Sequence, residues 1–267
     1  MAGPSQRRRG LLDRARAPGG LVLSSPSTPE VLAVVPARGG SKGLPRKNLA
    51  PFLGRPLIEW SIRAGLEAET VARTIVTTDD EEIADAARRA GAEVPFLRPA
   101  ELAQDHVLDL PVFQHVVAWF DEHEGYRPDV VVQLRPTSPV RPPGLVDRAV
   151  RSLLDAPDAD SVRAVCVSPC NPYKMWRVED GHLAPLLESD VPEHWNAPRQ
   201  ALPVVHWQTG TIDVMRRRTL VDLDSMSGTT ILPLEVDAVL AGDIDDQLSL
   251  EWTEQLARRA GMVPHEP

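Results

Sequence analysis

The sequence predicts an α/β fold with a doubly wound, mostly parallel sheet, and three observations carry that prediction. Apolar runs of strand length alternate with segments of helical period along most of the chain. Two of those runs, Val31-Leu32-Ala33-Val34-Val35 and Val130-Val131-Val132-Gln133-Leu134, have the sustained apolar character of strands covered on both faces. A length of 267 residues with 42% hydrophobic and 25% charged content suits one large α/β domain, or one such domain with a small appendage.

After the opening strand, Pro56 to Glu69 reads as a helix with Leu57, Ile58, Ile62 and Leu66 on one side, and Thr74 to Thr77 as the next strand. Asp79-Asp80 caps a helix running through Ala90, which Gly91 ends. A short strand at Val94 to Leu97 and a helix around Pro111 to Phe120 lead to the strand at Val130 to Leu134. The segment from about Cys166 to Pro203 breaks the alternation: it is proline-rich, carries Trp176 and Trp195, and holds two strand-like pieces, Tyr173 to Val178 and His182 to Leu186, around the turn Glu179-Asp180-Gly181. Thr211 to Met215 and Thr230 to Pro233 then read as returning strands and Asp246 to Ala260 as the closing helix. In such sheets ligands bind at the carboxyl ends of the strands. The loop after Val35, Thr77-Thr78-Asp79 and Arg135 to Ser138 all follow strands, so the fold places them along one edge.

Charge and composition exclude several classes of function. The net charge is −9, and the basic residues of the core region gather in one loop rather than along a stripe, which argues against nucleic acid and for a small anion as partner. No apolar run approaches the ~20 residues that cross a bilayer, so no membrane role is expected. Cys166 and Cys170 read as ordinary thiols in a reducing cytoplasm, without a second Cys or His pair to complete a zinc site. Residues 1–30 are rich in Arg, Gly, Pro and Ser, and Gly20-Leu21-Val22-Leu23 is too short for a secretory apolar core. The expectation is a disordered extension; an organellar leader and an over-extended start site are the lesser options.

The loop itself points to phosphate. Gly39, Gly40 and Gly43 let the backbone turn tightly and bring N–H groups to an anion, while Arg38, Lys42, Arg46 and Lys47 supply four positive charges within ten residues. No Gly-Lys-Ser/Thr closes it as in a Walker A loop, and it lacks the Gly-x-Gly-x-x-Gly dinucleotide fingerprint, which disfavours a P-loop ATPase and a dehydrogenase. Charge runs in turns are usually just solvated; here the glycines, the buried-type strand before them and the position in the α/β pattern favour an anion site.

Pro36-Ala37-Arg38-Gly39-Gly40-Ser41-Lys42-Gly43-Leu44-Pro45-Arg46-Lys47-Asn48 resembles the opening block of the CMP-sugar synthetases, the cytidylyltransferases that activate sialic acid and related nonulosonic or octulosonic acids. Three later blocks are similar to that family's in the same order: Leu97 to Asp105, Arg135-Pro136-Thr137-Ser138-Pro139-Val140-Arg141, and Asp243-Ile244-Asp245. The resemblance spans roughly Val31 to Gly261. It implies a Rossmann-like sheet of the nucleotide-diphospho-sugar transferase type, forming a single domain over residues 31–267. It also implies a small projecting dimerisation element at about 166–203, and therefore a homodimer. The implied reaction is attack of a sugar acid's anomeric hydroxyl on the α-phosphorus of CTP, with Mg²⁺ assisting and pyrophosphate leaving.

By the same resemblance Arg38, Lys42 and Lys47 contact the phosphates, with Ala37, Gly39, Gly40 and Ser41 assisting, and Asn48 and Arg98 recognise ribose and base. Asp243 and Asp245 hold Mg²⁺ as hard oxygen ligands, Asp245 counting with Arg38, Lys42 and Lys47 among the catalytic groups. Arg135, Thr137, Ser138, Lys174, Arg199, Gln208 and Asp213 fall on the acceptor side. Each has a plainer reading. Asp243 and Asp245 precede a helix, where Asp is a common N-cap; Lys174 and Arg199 are equally consistent with solvated surface charge; Thr137-Ser138 is also a strand-end turn, with no His–Asp partner to make Ser138 a nucleophile. The histidines show no ligand spacing. Two departures bear on the acceptor. Arg135 stands where sialate-activating members carry Gln, and Gln208-Thr209-Gly210-Thr211-Ile212-Asp213 replaces Asn-Gly-Ala-Ile-Tyr. A guanidinium adds a fixed bidentate donor and Asp213 a carboxylate, which points away from sialic acid itself. A sugar-1-phosphate nucleotidylyltransferase using another NTP is the enzymatic alternative; a non-catalytic nucleotide-binding module and a glycosyltransferase of related fold are the others.

Overall fold

The computed structural model describes Met1 and residues 28–263; the expected N-terminal extension falls almost wholly outside the described residues. In chain order the elements are β1 (Val31–Pro36), β2 (Pro51–Phe52), β3 (Arg55–Pro56), α1 (Leu57–Leu66), β4 (Arg73–Thr77), α2 (Glu81–Arg89), α3 (Asp109–Glu124), β5 (Val130–Gln133), α4 (Leu145–Leu154), β6 (Ser161–Val167), β7 (Trp176–Glu179), β8 (His182–Pro185), β9 (His206–Arg216), α5 (Arg217–Val221), β10 (Ile231–Glu235) and α6 (Gln247–Arg259). Six strands form the main sheet in the order β10-β6-β9-β5-β1-β4. All run parallel except β9, which lies antiparallel between β5 and β6.

β1 sits between β4 and β5, with Val34 opposite both Ile75 and Gln133, so both of its edges are hydrogen-bonded. Val31, Ala33 and Val35 pack with Leu57, Ile58 and Ile62 of α1, Ile83 of α2 and Val150 of α4; Leu32 and Val34 pack on the other side with Phe113, Val116 and Phe120 of α3. Helices therefore cover both faces. Asp80 caps α2 by accepting from the Ile83 N–H at 2.9 Å, and Asp246 with Ser249 forms a capping box on α6.

The expected strand at Val94 to Leu97 does not form. Glu93 exchanges ladder bonds with Thr74 and Val76 and the pairing stops there, because Pro95 has no N–H to continue it. β9 is longer than expected, since after a register shift opposite Arg163 and Val165 it continues along the end of β6. α4 and β6, which supply a central face and a strand between β9 and β10, were not anticipated from the sequence. The hairpin β7–β8 turns at Asp180 (φ 50°) and Gly181 (φ 80°), both in the left-handed region that suits a tight two-residue connection. Its apolar side chains Val178 and Leu183 are 75% and 62% exposed. Cys166 is buried and Cys170 exposed, both as free thiols. Among the described residues no helix is long and apolar enough to cross a membrane.

Candidate active site

A cleft of about 490 Å³ opens at the carboxyl ends of β1, β4 and β5. It gathers Arg38, Ser41, Lys42, Lys47 and Asn48 from the loop after β1, Arg98 from the segment after α2, Arg135 and Thr137 from the turn after β5, and Asp245 from the approach to α6. These residues are far apart in sequence and meet only because their strands are neighbours.

The loop is locked from below and from the side. Ala37 is buried and its N–H donates to Thr77 O at 3.0 Å, continuing the sheet; the Asn48 side chain, 6% exposed, donates to Arg38 O at 2.9 Å across the turn. Gly43 is where the loop meets the Asp243–Asp245 segment: a Cβ there would lie 2.3 Å from Asp245 O, so only glycine permits the approach. Lys47 crosses the same seam, its Nζ donating to Ile244 O at 2.8 Å and lying 3.2 Å from Asp245 Oδ1.

The charges are distributed differently from the sequence expectation. Arg38 and Lys42 face the cleft, and both pair with Asp105, Arg38 at 2.8 Å. Arg46 turns away. It adopts φ 55° and forks onto Asp80 at 2.6 and 3.1 Å and onto Glu82, so its charge serves the N-terminus of α2 rather than a phosphate. The Gly39 N–H is already taken by Asp79 Oδ1 at 2.9 Å, while Gly40 stays exposed. Arg98 is 7% exposed and donates from Nε to Thr77 Oγ1 at 3.2 Å; burial pushes its guanidinium down to about 10, against the opposing pull of Asp79 and Asp109.

Asp243 and Asp245 lie on alternating positions of an extended segment, both exposed, with Ile244 buried between them. The Ile244 N–H donates to Thr137 O at 2.8 Å, and the buried Ser138 hydroxyl lies 3.3 Å from Asp243 Oδ1. Ser138 also fixes its surroundings, since a Cβ on Gly210 would stand 2.3 Å from its Oγ. Capping of α6 falls to Asp246, which leaves both earlier carboxylates free of that duty. Among the described residues no third His, Cys, Asp or Glu joins them to form a metal-binding group.

Arg135 is held at both ends. NH1 donates to Asp213 Oδ2 at 2.8 Å and NH2 to Asp109 Oδ2 at 2.9 Å; Arg163 NH1 approaches the same Asp213 oxygen at 3.2 Å, and Gln133 donates to Asp109 Oδ2 at 2.9 Å. Burial works against the Arg135 cation, but the two carboxylates outweigh it and raise its pKa. Burial likewise disfavours the Asp109 anion, yet the Gln133 hydrogen bond and Arg135 hold it below the ordinary range. Asp213, 1% exposed, thus faces Arg135 and Arg163, not the open cleft. Lys174, Arg199 and Gln208 are not among the cleft-lining residues: Lys174 Nζ donates to Trp195 O at 3.3 Å, Arg199 to Pro169 O at 2.6 Å, and Gln208 is exposed opposite Val165. Asp105 and Asp109 were missed as site residues. Asp105 ends the Leu97–Asp105 block and Asp109 opens a helix, where an acid is ordinarily explained by the helix dipole.

A family model described as "Cytidylyltransferase" matches residues 32–179, more than half of the chain. The chain is 32% identical over 238 residues to the CMP-N,N'-diacetyllegionaminic acid synthase of Legionella pneumophila, covering 85% of this chain and 95% of that one. It is 35% identical over 122 residues to the N-acylneuraminate cytidylyltransferase of Escherichia coli, covering 46% of this chain and 28% of that one. A solved structure of CMP:2-keto-3-deoxy-manno-octonic acid synthetase complexed with CTP superposes with a TM-score of 0.63 at 20% identity, covering 86% of this chain and 99% of that one.

Proposed function

The chain belongs to the cytidylyltransferase family, and from that premise we propose that its cleft transfers CMP from CTP to a sugar acid of the nonulosonic type and releases pyrophosphate. The observation that carries the proposal is the seam at which Lys47 meets Ile244 O and Asp245, in the cleft that Arg38 and Lys42 also line. Three cations of one loop and the carboxylates of the segment that meets it suit a triphosphate that must lose two of its phosphates.

In this reading the sugar hydroxyl attacks the α-phosphorus and gives up its proton to solvent, the new O–P bond forms, and the bond between the α-phosphorus and the oxygen bridging it to the β-phosphate breaks, that oxygen leaving with pyrophosphate. Arg38, Lys42 and Lys47 balance the charge that gathers on the departing pyrophosphate, while Asn48, holding Arg38 O, and the buried Arg98 shape the nucleotide end. Asp243 and Asp245 suit Mg²⁺: two exposed hard carboxylates without a third protein ligand match an ion that keeps waters and takes the rest of its oxygens from substrate phosphate. When bound, the ion would polarise the phosphoryl oxygens and offset leaving-group charge.

Thr137, Ser138 and Arg135 form the acceptor end. Because both ends of Arg135 are already engaged, it is poorly placed to grip a second phosphate, which speaks against the sugar-1-phosphate alternative. Lys174 and Arg199 would serve the acceptor from a second copy of the chain, with residues 166–203 as the joining element. The exposed Val178 and Leu183 of the hairpin support that arrangement. The direct test is pyrophosphate release with Mg²⁺ across the four NTPs, each against nonulosonic acids, octulosonic acids and sugar 1-phosphates. Release with CTP and a sugar acid is the expected result; release only with another NTP and a sugar phosphate would overturn it.

A further inference from the structure

Every cation of the loop after β1 is paired with an acid, but the pairings are not equivalent. Arg46 is held on Asp80 and Glu82, outside the cleft. Lys47 meets Asp245, which stands at the proposed metal position. Arg38 and Lys42 share one partner, Asp105, which lines the same cleft from the short exposed turn between residues 103 and 108. Asp105 has no structural duty comparable with that of Asp80. It caps no helix and donors of its own turn do not bind it; the turn closes by the Val107 N–H onto Gln104 O at 3.1 Å instead. Its carboxylate is held below the ordinary range, first by the hydrogen bond from Lys42 and then by the charges of Lys42 and Arg38.

We infer that Asp105 is a counter-anion that competes with the triphosphate, and with product pyrophosphate, for Arg38 and Lys42. The inference rests on the nucleotidyl-transfer reading of the cleft. Its physical content is an exchange: a polyphosphate gains two cations only by displacing a carboxylate already seated on them, so its net affinity falls by the strength of those contacts. When pyrophosphate leaves, Asp105 takes its place and the two cations are not left unpaired. The residue therefore sets phosphate affinity through Arg38 and Lys42 without touching the reacting atoms, and is a positioning residue. A carboxylate that instead assisted binding would have to lie beside a donor or metal of the ligand, and the groups it meets are the two cations.

The test is the sign of the affinity change. Wild type, Asp105→Asn and Asp105→Glu are titrated calorimetrically with CTP, pyrophosphate and cytidine, and KM and kcat are measured separately. Removing competition from exposed ion pairs is expected to tighten pyrophosphate and CTP by about three- to tenfold in Asp105→Asn. Cytidine binding stays unchanged, product inhibition strengthens, KM for CTP falls, and Asp105→Glu restores wild-type behaviour. The tightening shrinks as salt is raised. Unchanged or weaker pyrophosphate binding in Asp105→Asn overturns the inference. A wild-type protein that binds pyrophosphate but neither CTP nor cytidine would instead overturn the cytidylyl reading, leaving the pyrophosphate comparison to decide the role of Asp105 on its own.

Discussion

Asp213→Asn isolates the buried charge chain behind the proposed acceptor end. The substitution keeps the size of the side chain and one carbonyl oxygen but removes a negative charge, 1% exposed, that stands between Arg135 at 2.8 Å and Arg163 at 3.2 Å. Arg163, whose side chain is 13% exposed, would keep only neutral acceptors, Ser227 Oγ at 2.7 Å and Met226 O at 3.2 Å. Breaking a buried pair costs about 3–5 kcal/mol. Here Arg135 retains Asp109 and is 26% exposed, which lowers the expected loss to about 2–4 kcal/mol. For a domain of this size each kcal/mol moves the melting temperature by about 2–4 °C, so a fall of about 4–16 °C is expected in a thermal melt. Arg135→Gln should cost less in the Asp213→Asn background than in wild type, with a coupling of about 1 kcal/mol or more. In activity assays KM for the sugar acid should rise more than KM for CTP. Melting within about 2 °C of wild type, or strict additivity of the two substitutions, would refute the view that Asp213 anchors Arg135.

Three further outcomes are expected. Asp245→Asn, at an exposed position, should abolish Mg²⁺-dependent turnover and leave the melting temperature unchanged; activity near that of wild type removes Asp245 from the metal site. Gly43→Ala places a methyl against Asp245 O, a backbone atom that cannot swing away, and should cost about 1–3 kcal/mol together with most of the activity; a fully active, equally stable variant would show that the loop and the Asp243–Asp245 segment can separate freely. The Arg46 hydrogen bonds, then the Ile83 amide, hold the Asp80 carboxyl below its unfolded value of about 3.9. Its stabilisation is thus complete above that value and disappears as pH falls through the lower, folded one. Asp80→Asn should therefore flatten the acid limb of stability below about pH 4 in urea titrations, and wild type and variant losing stability in parallel would count against this account.

The sequence determined a good deal by local rules. Val31–Val35 had to be a two-sided buried strand, Asp80 an N-cap and Gly91 a stop, because periodicity, capping and left-handed backbone are properties of a few adjacent residues. The pattern of the loop also marked where its charge would gather: Arg38, Lys42 and Lys47 all line the cleft. What local rules cannot carry is the pairing of groups distant along the chain. Arg46 and Lys47 are adjacent in sequence, yet one is drawn to Asp80 across 34 residues and the other to Asp245 across 198, and nothing in their own neighbourhood distinguishes them. The same holds for Asp213, whose carboxylate is open to an acceptor on paper. It is enclosed in space because β9 runs antiparallel between β5 and β6, placing Asp213 opposite Gln133 and Arg163. Strand order decides which charges meet, and the desolvation that follows decides whether they bind a ligand or each other; both arise only when the sheet closes.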